Sequence, residues 1–109
     1  MVELKNEKLA IRVAELGAEL QSVKDSEGRE YLWQAGELWP RHSPILFPIV
    51  CSVNNDTYVV DGEAYHLSRH GFARDTAFTV VSQSEDRVTL ALHESEESLK
   101  VYQIGRAHV

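Results

Sequence analysis

The chain has 109 residues, enough for one domain with one modest core. Apolar residues make up 43% and charged residues 26%, and eleven Lys and Arg against seventeen Asp and Glu leave a net charge of −6. With a pI near 5.3, that balance excludes the basic face of a nucleic-acid binder and the polybasic patch of a protein held to an anionic membrane.

The opening MVELKNEKLA carries charges throughout and lacks the apolar segment of a signal peptide. Leu9, Ile11 and Val13 then alternate with polar or small residues and predict a half-buried strand. Gly17 breaks the run. Ala18, Leu20 and Ser22 continue as a second strand, ending at the turn Asp25-Ser26-Glu27-Gly28. Tyr31, Leu32 and Trp33 form a short third apolar run. Gly36 to Pro44 is a polar-aromatic loop in which Pro40 and Pro44 rule out a regular helix.

Ile45 to Val53 is apolar but contains Pro48, which predicts an edge strand or an extended loop. The apolar-leaning stretch from Pro44 to Val53 is far short of the roughly 20 residues a membrane span needs. Cys51 is the single cysteine, so no internal disulfide forms, which suits a reducing, cytoplasmic setting. Asn54-Asn55-Asp56 is a turn. Tyr58 to Leu67 reads as a hairpin whose tip, Asp61-Gly62, supplies the positive φ angles a tight turn requires. Phe78, Val80 and Ser82 predict a further strand and Val88, Leu90 and Leu92 another, joined by Ser84-Glu85-Asp86. Leu99 and Val101 are expected to begin one more. Seven or more short strands separated by turn signals predict an all-β fold, an antiparallel β-sandwich or barrel. A strand begun so close to the end leaves an open sheet edge, an expectation of a truncated domain.

The tail Ile104 to Val109 breaks the alternation. A permitted reverse translation, read after a CAG codon for Gln103, matches a common sequencing-library adapter. Residues 104–109 are therefore read as a non-native tail, and residues 1–103 as the folded part.

Two segments concentrate polar side chains among aromatics and backbone breakers: Trp39 to Pro48 and His70-Gly71-Phe72-Ala73-Arg74-Asp75. Loops on a rigid sheet are where binding groups collect. A sugar offers hydroxyls on its rim and C–H groups on its faces, so donors fixed beside flat apolar surfaces suit it. His70 reads equally as a ligand contact or as a structural histidine bonded to a loop carbonyl; Gly71 lets the backbone turn sharply after the ring. Arg41, between Pro40 and Pro44, reads as a positioned guanidinium able to donate two parallel bonds, against the alternative of a solvated arginine. Arg74 and Asp75 are adjacent and read first as a local pair, with Arg74 kept as a third candidate contact. His42 and His66 read as structural or solvated and His93 as a surface residue. CxxC, HExxH, the Gly-rich phosphate loop and GxSxG are all missing, and the scattered histidines do not meet metal-ligand spacing.

The run Arg41-His42-Ser43-Pro44-Ile45-Leu46-Phe47-Pro48-Ile49-Val50, then Tyr58 through Leu67, then His70 to Asp75, resembles the aldose 1-epimerase or galactose mutarotase-like superfamily. Within it, the LacX-type branch is the nearest in pattern. Leu16-Gly17-Ala18-Glu19-Leu20 with Tyr31-Leu32-Trp33 resembles that family's first hairpins, so the likeness covers residues 1 to 102.

The resemblance implies a large antiparallel β-sandwich, here in its amino-terminal portion, binding a free hexose-like aldose without cofactor, metal, nucleic acid or membrane partner. It implies an isomerase that interconverts α and β anomers by acid–base ring opening. The family's catalytic His and Glu lie in the later part of such chains, so this chain would hold no catalytic residue and be inactive alone. His70 is similar to the family's sugar-binding histidine, and Arg41, less closely, to an arginine of the same groove. Members commonly carry Gly-Arg after the F-P-x-V run, where this chain has Cys51-Ser52. The alternative is a non-catalytic carbohydrate-binding β-sandwich module, which His70 and Arg41 would serve equally well.

Overall fold

The computed structural model describes residues 1–102; the tail read as non-native, 104–109, lies outside the described residues. Strands β1 (Val2–Lys5), β2 (Leu9–Val13) and β3 (Leu20–Asp25) form one antiparallel sheet in the order β1-β2-β3. β1 was not expected from the sequence. Its two apolar residues, Val2 and Leu4, alternate within a charged stretch, and pairing of Val2 with Val13 and Leu4 with Ile11 is what aligns them. The β2–β3 register shifts between Arg12 and Val13, which face Ser22 and Leu20, so Gln21 is the extra residue of a bulge.

Two carboxylates finish this sheet. Asp25 accepts the main-chain N–H groups of Glu27 at 2.9 Å and Arg29 at 3.0 Å, and the Tyr31 hydroxyl at 2.9 Å. These bonds, the Arg29 amide foremost, hold the Asp25 carboxyl below its ordinary range. Glu30 takes the hydroxyl of buried Ser22 and the Val23 N–H at 2.7 Å, and the Ser22 bond leads in holding its carboxyl low too. The expected third run, Tyr31 to Trp33, adds no strand: its one main-chain bond to β3 is from the Tyr31 N–H to the Val23 carbonyl at 2.9 Å.

β4 (Thr57–Val60) and β5 (Glu63–His66) form the expected hairpin. At its tip Asp61 has φ 50° and Gly62 φ 83°, the paired positive values of a type I′ turn. β6 (Thr79–Gln83) and β7 (Val88–Ala91) form the next, with a bulge at Val81. The strand expected at Leu99 and Val101 is instead a helix, α1 (Glu96–Val101). Ser95 caps it: its hydroxyl accepts the Ser98 N–H at 3.0 Å, and the Ser98 hydroxyl accepts the Ser95 N–H at 2.8 Å. Glu96 and Glu97 in the first turn and Lys100 in the last suit the helix dipole.

The described residues are thus antiparallel sheets with one six-residue α-helix. Their buried apolar set is small: Val2, Val13, Ala14, Tyr65, Leu67 and Ala73. Several large apolar residues are exposed, among them Leu16, Ile45, Leu46, Val50 and Val81. The first sheet is tied to the rest at β1, where the Lys5 N–H donates to the Glu85 carbonyl at 2.9 Å, and through the connection between β2 and β3. Phe78 N–H donates to the Glu15 carbonyl and Gly17 N–H to the Thr76 carbonyl, both at 2.8 Å, while Ser43 Oγ donates to the Leu20 carbonyl at 2.6 Å. The residues around Gly17 therefore hold both candidate loops, one on each side. No helix among the described residues is long and apolar enough to cross a membrane.

Candidate functional site

The segment 41–51 and the segment 70–75 lie along one another, joined by main-chain bonds. The Ile45–Val53 stretch is the extended loop, not the strand, of the two expected forms. A single bridge pairs Phe47 with Gly71. The Phe47 carbonyl accepts two N–H groups, from Phe72 at 3.0 Å and Ala73 at 3.1 Å, and the Phe47 N–H donates to the His70 carbonyl at 3.2 Å. The Phe47–Pro48 peptide is cis.

Such closeness dictates residue type. A Cβ on Gly71 would sit 2.2 Å from the Phe47 oxygen, and Gly71 has φ 71°. Gly17 is constrained in the same way, with its absent Cβ 2.7 Å from the Arg74 oxygen at φ 72°. Behind the loops, Tyr102 meets the ring of Phe47 edge-on at 6.0 Å and that of Phe72 at 6.4 Å. The Tyr58 hydroxyl donates to the Val101 carbonyl, which ties the end of α1 to the β4–β5 hairpin.

His70 is half-buried, and its backbone is left-handed, with φ 65°. Its Nδ1 receives the Cys51 N–H at 2.8 Å, and its own N–H donates to the Cys51 carbonyl at 2.8 Å. Cys51 is left-handed too, with φ 67°. For residues other than glycine this conformation is uncommon, and it gathers at functional sites.

Arg41 is oriented by Asp75, with Nη2 3.2 Å from Oδ1. Arg74 lies on the other side of that carboxylate, Nε 3.9 Å from Oδ2, and its Nη2 donates to the Arg69 carbonyl at 3.2 Å. Arg74 Nε is buried without a hydrogen-bond partner. The expected local pairing of Arg74 with Asp75 is present as this loose contact. Asp75 therefore gathers both candidate arginines, five residues along the chain from His70. His42 pairs with Glu19 at 3.5 Å and His66 with the Thr57 hydroxyl at 3.1 Å, while His93 is exposed. Among the described residues no cluster of three His, Cys, Asp or Glu is placed to hold a metal ion.

Two contributors escaped the sequence reading: the Cys51 main chain as partner of the His70 ring, and Asp75 as partner of Arg41. The only advance signal for the first was Cys51 standing where the resemblance led one to expect glycine. For Asp75 the sequence offered only its contact with the adjacent Arg74.

Comparison with known proteins gives the chain's family and fold. Residues 1–104 match the family described as aldose 1-epimerase. The chain is 41% identical over 107 residues to the chromosomal LacX protein of Lactococcus lactis subsp. lactis, covering 93% of this chain and 36% of that one. It is similar to the structure of a galactose mutarotase related enzyme from Lactobacillus acidophilus, with TM-score 0.92, 40% identity, 95% of this chain covered and 35% of the other. A galactose mutarotase-like protein from Lactobacillus casei ATCC 334 gives TM-score 0.91 and 39% identity, with 96% and 36% covered. The chain thus spans about a third of the length of these relatives.

Proposed function

The chain belongs to the aldose 1-epimerase family, and from that premise we propose that it is the sugar-binding amino-terminal part of an enzyme that interconverts the anomers of a free aldose. The observation that carries the reading is the family match over nearly the whole described chain, together with a half-buried His70 held in a strained loop. His70 supplies a hydrogen bond to the sugar. Arg41, aimed by Asp75, and Arg74 supply further donors at the same wall of the groove.

The reaction needs a base and an acid on opposite sides of the sugar. The base takes the proton of the C1 hydroxyl and the acid gives one to the ring oxygen. The bond from C1 to the ring oxygen breaks as the C1 carbonyl forms, the C1–C2 bond turns, and the ring closes on the other face. Atoms and charge balance without a cofactor. On this reading the acid and base come from residues beyond this chain, which would leave it inactive by itself. The exposed Ile45, Leu46 and Val50 beside the site are the surface that the rest of such a fold would cover.

A polarimetric assay tests this. The product of the complete open reading frame is expected to accelerate mutarotation of α-galactose or α-glucose, and the 109-residue chain is not. Replacing His70 with Ala in the active product is expected to reduce the rate. A complete product that binds galactose but leaves the buffer rate unchanged would favour the non-catalytic binding module.

A further inference from the structure

We infer that the main chain of Cys51 is the positioning group for His70, locking its imidazole as the Nε2–H tautomer so that it faces the ligand as a donor and never as a base. The bearing on sugar rests on the reading above; the tautomer does not.

The Cys51 N–H has a hydrogen to give and no lone pair to receive one. It lies 2.8 Å from His70 Nδ1, so that nitrogen holds a lone pair. In a neutral imidazole the ring proton then sits on Nε2. Turning the ring over would set a C–H against the Cys51 N–H and forfeit the bond. The reciprocal bond, from the His70 N–H to the Cys51 carbonyl at 2.8 Å, holds the base of the side chain by the same residue. Nε2 makes no hydrogen bond with the described residues, so its proton is left to a ligand oxygen.

This arrangement asks nothing of the Cys51 side chain, which is exposed. It asks for a main-chain N–H at that place, carried by a residue at φ 67°. Side-chain changes at Cys51 should therefore leave the ring untouched, while changes to Nδ1 or to Nε2 should have separable effects. An asparagine at position 70 puts an amide oxygen near the place of Nδ1, keeping the anchor and losing the outward donor. A glutamine puts an amide nitrogen near the place of Nε2, keeping a donor and losing the anchor.

The experiment is nitrogen NMR on histidine-labelled product of the complete open reading frame, with His70→Asn used to assign the His70 ring signals and D-galactose as the probe. The expected result is one Nε2–H ring, unchanged in Cys51→Gly and Cys51→Ala, whose Nε2 signal responds to galactose. Galactose affinity should stay within about twofold in Cys51→Gly and fall by about tenfold in His70→Asn, the worth of one well-placed hydrogen bond. In His70→Asn the Cys51 amide should keep its hydrogen-bonded shift, and in His70→Gln lose it. An Nδ1–H ring, a mixture of tautomers, or a tautomer that changes in Cys51→Ala would overturn the proposal and leave the sugar reading standing. A single Nε2–H ring with no response to galactose would uphold the clamp and reject the sugar reading.

Discussion

Between Val2 and Asp25 the backbone is satisfied by neighbouring strands, and the side chains follow a two-residue period. Where residues 47–51 meet residues 70–73 the backbone is satisfied by a handful of crossed bonds, many of them made by Phe47, Cys51 and His70. The first region distributes its support along a ladder, so a change at one rung leaves the others. The second concentrates it in positions with left-handed backbone, and there one substitution removes several bonds together. A sheet can be specified by pattern, whereas this loop pair is specified by individual backbone conformations.

The largest expected effect follows from that concentration. Gly71→Ala would force a Cβ to within 2.2 Å of the Phe47 oxygen at a φ of 71°. Strain and overpacking together should cost about 3 kcal/mol or more. Urea unfolding of the full-length protein measures this, and an unchanged midpoint would mean that the loops do not approach so closely. Val13→Ala is the counterpart in the sheet. Val13 is 9% exposed, and losing two buried methyl groups should cost about 2 kcal/mol. Its effect should stay in the sheet, leaving the Cys51 amide shift unmoved; movement there would erase the contrast between the regions.

The same contrast decides what was legible beforehand. β2, β3 and the two hairpins announce themselves by alternation and by Asp61-Gly62, because their structure is a local repeat. β1 has only Val2 and Leu4 to show among charges, and its register depends on a partner strand. Leu99 and Val101 stand two apart, which mimics a strand, and the cap that makes α1 is unusual in having Ser98 where Glu or Gln is commoner. At the site, His70, Arg41 and Arg74 were legible as candidates because polar groups stood among loop formers. The Cys51 clamp was not, since it joins residues 19 apart in sequence through main-chain atoms that every residue type shares. A glycine at position 51 would have been a signal; cysteine conceals the conformation.

Acid separates the regions by chemistry. Asp25 and Glu30 have carboxyls held low by the bonds they accept. A depressed folded value means that their stabilisation is present above the unfolded value and is lost as pH falls through the folded one. Residues 20–31 should therefore loosen below about pH 4. The bonds from Phe72 and Ala73 to the Phe47 carbonyl involve no titrating group and should persist through that range. Amide shifts of Val23, Phe72 and Ala73 followed down a pH series check this. Simultaneous loss of all three would show one cooperative unit in place of two differently built regions.

The smallest effect is the most informative about the loop. Holding a non-glycine residue in the left-handed region costs about 1–2 kcal/mol, and Cys51 sits there at φ 67°. Cys51→Gly removes that cost but frees the unfolded chain, returning about 0.5–1 kcal/mol of it. The expected net is a stabilisation of about 0.5–1 kcal/mol, read as a small rise in the urea midpoint. Its sign is the test. A rise means that the clamp is a backbone device that tolerates cysteine at a cost. A fall would mean that the Cys51 side chain contributes to the loop, and the division between a sheet written in side chains and a site written in backbone would have to be redrawn at that residue.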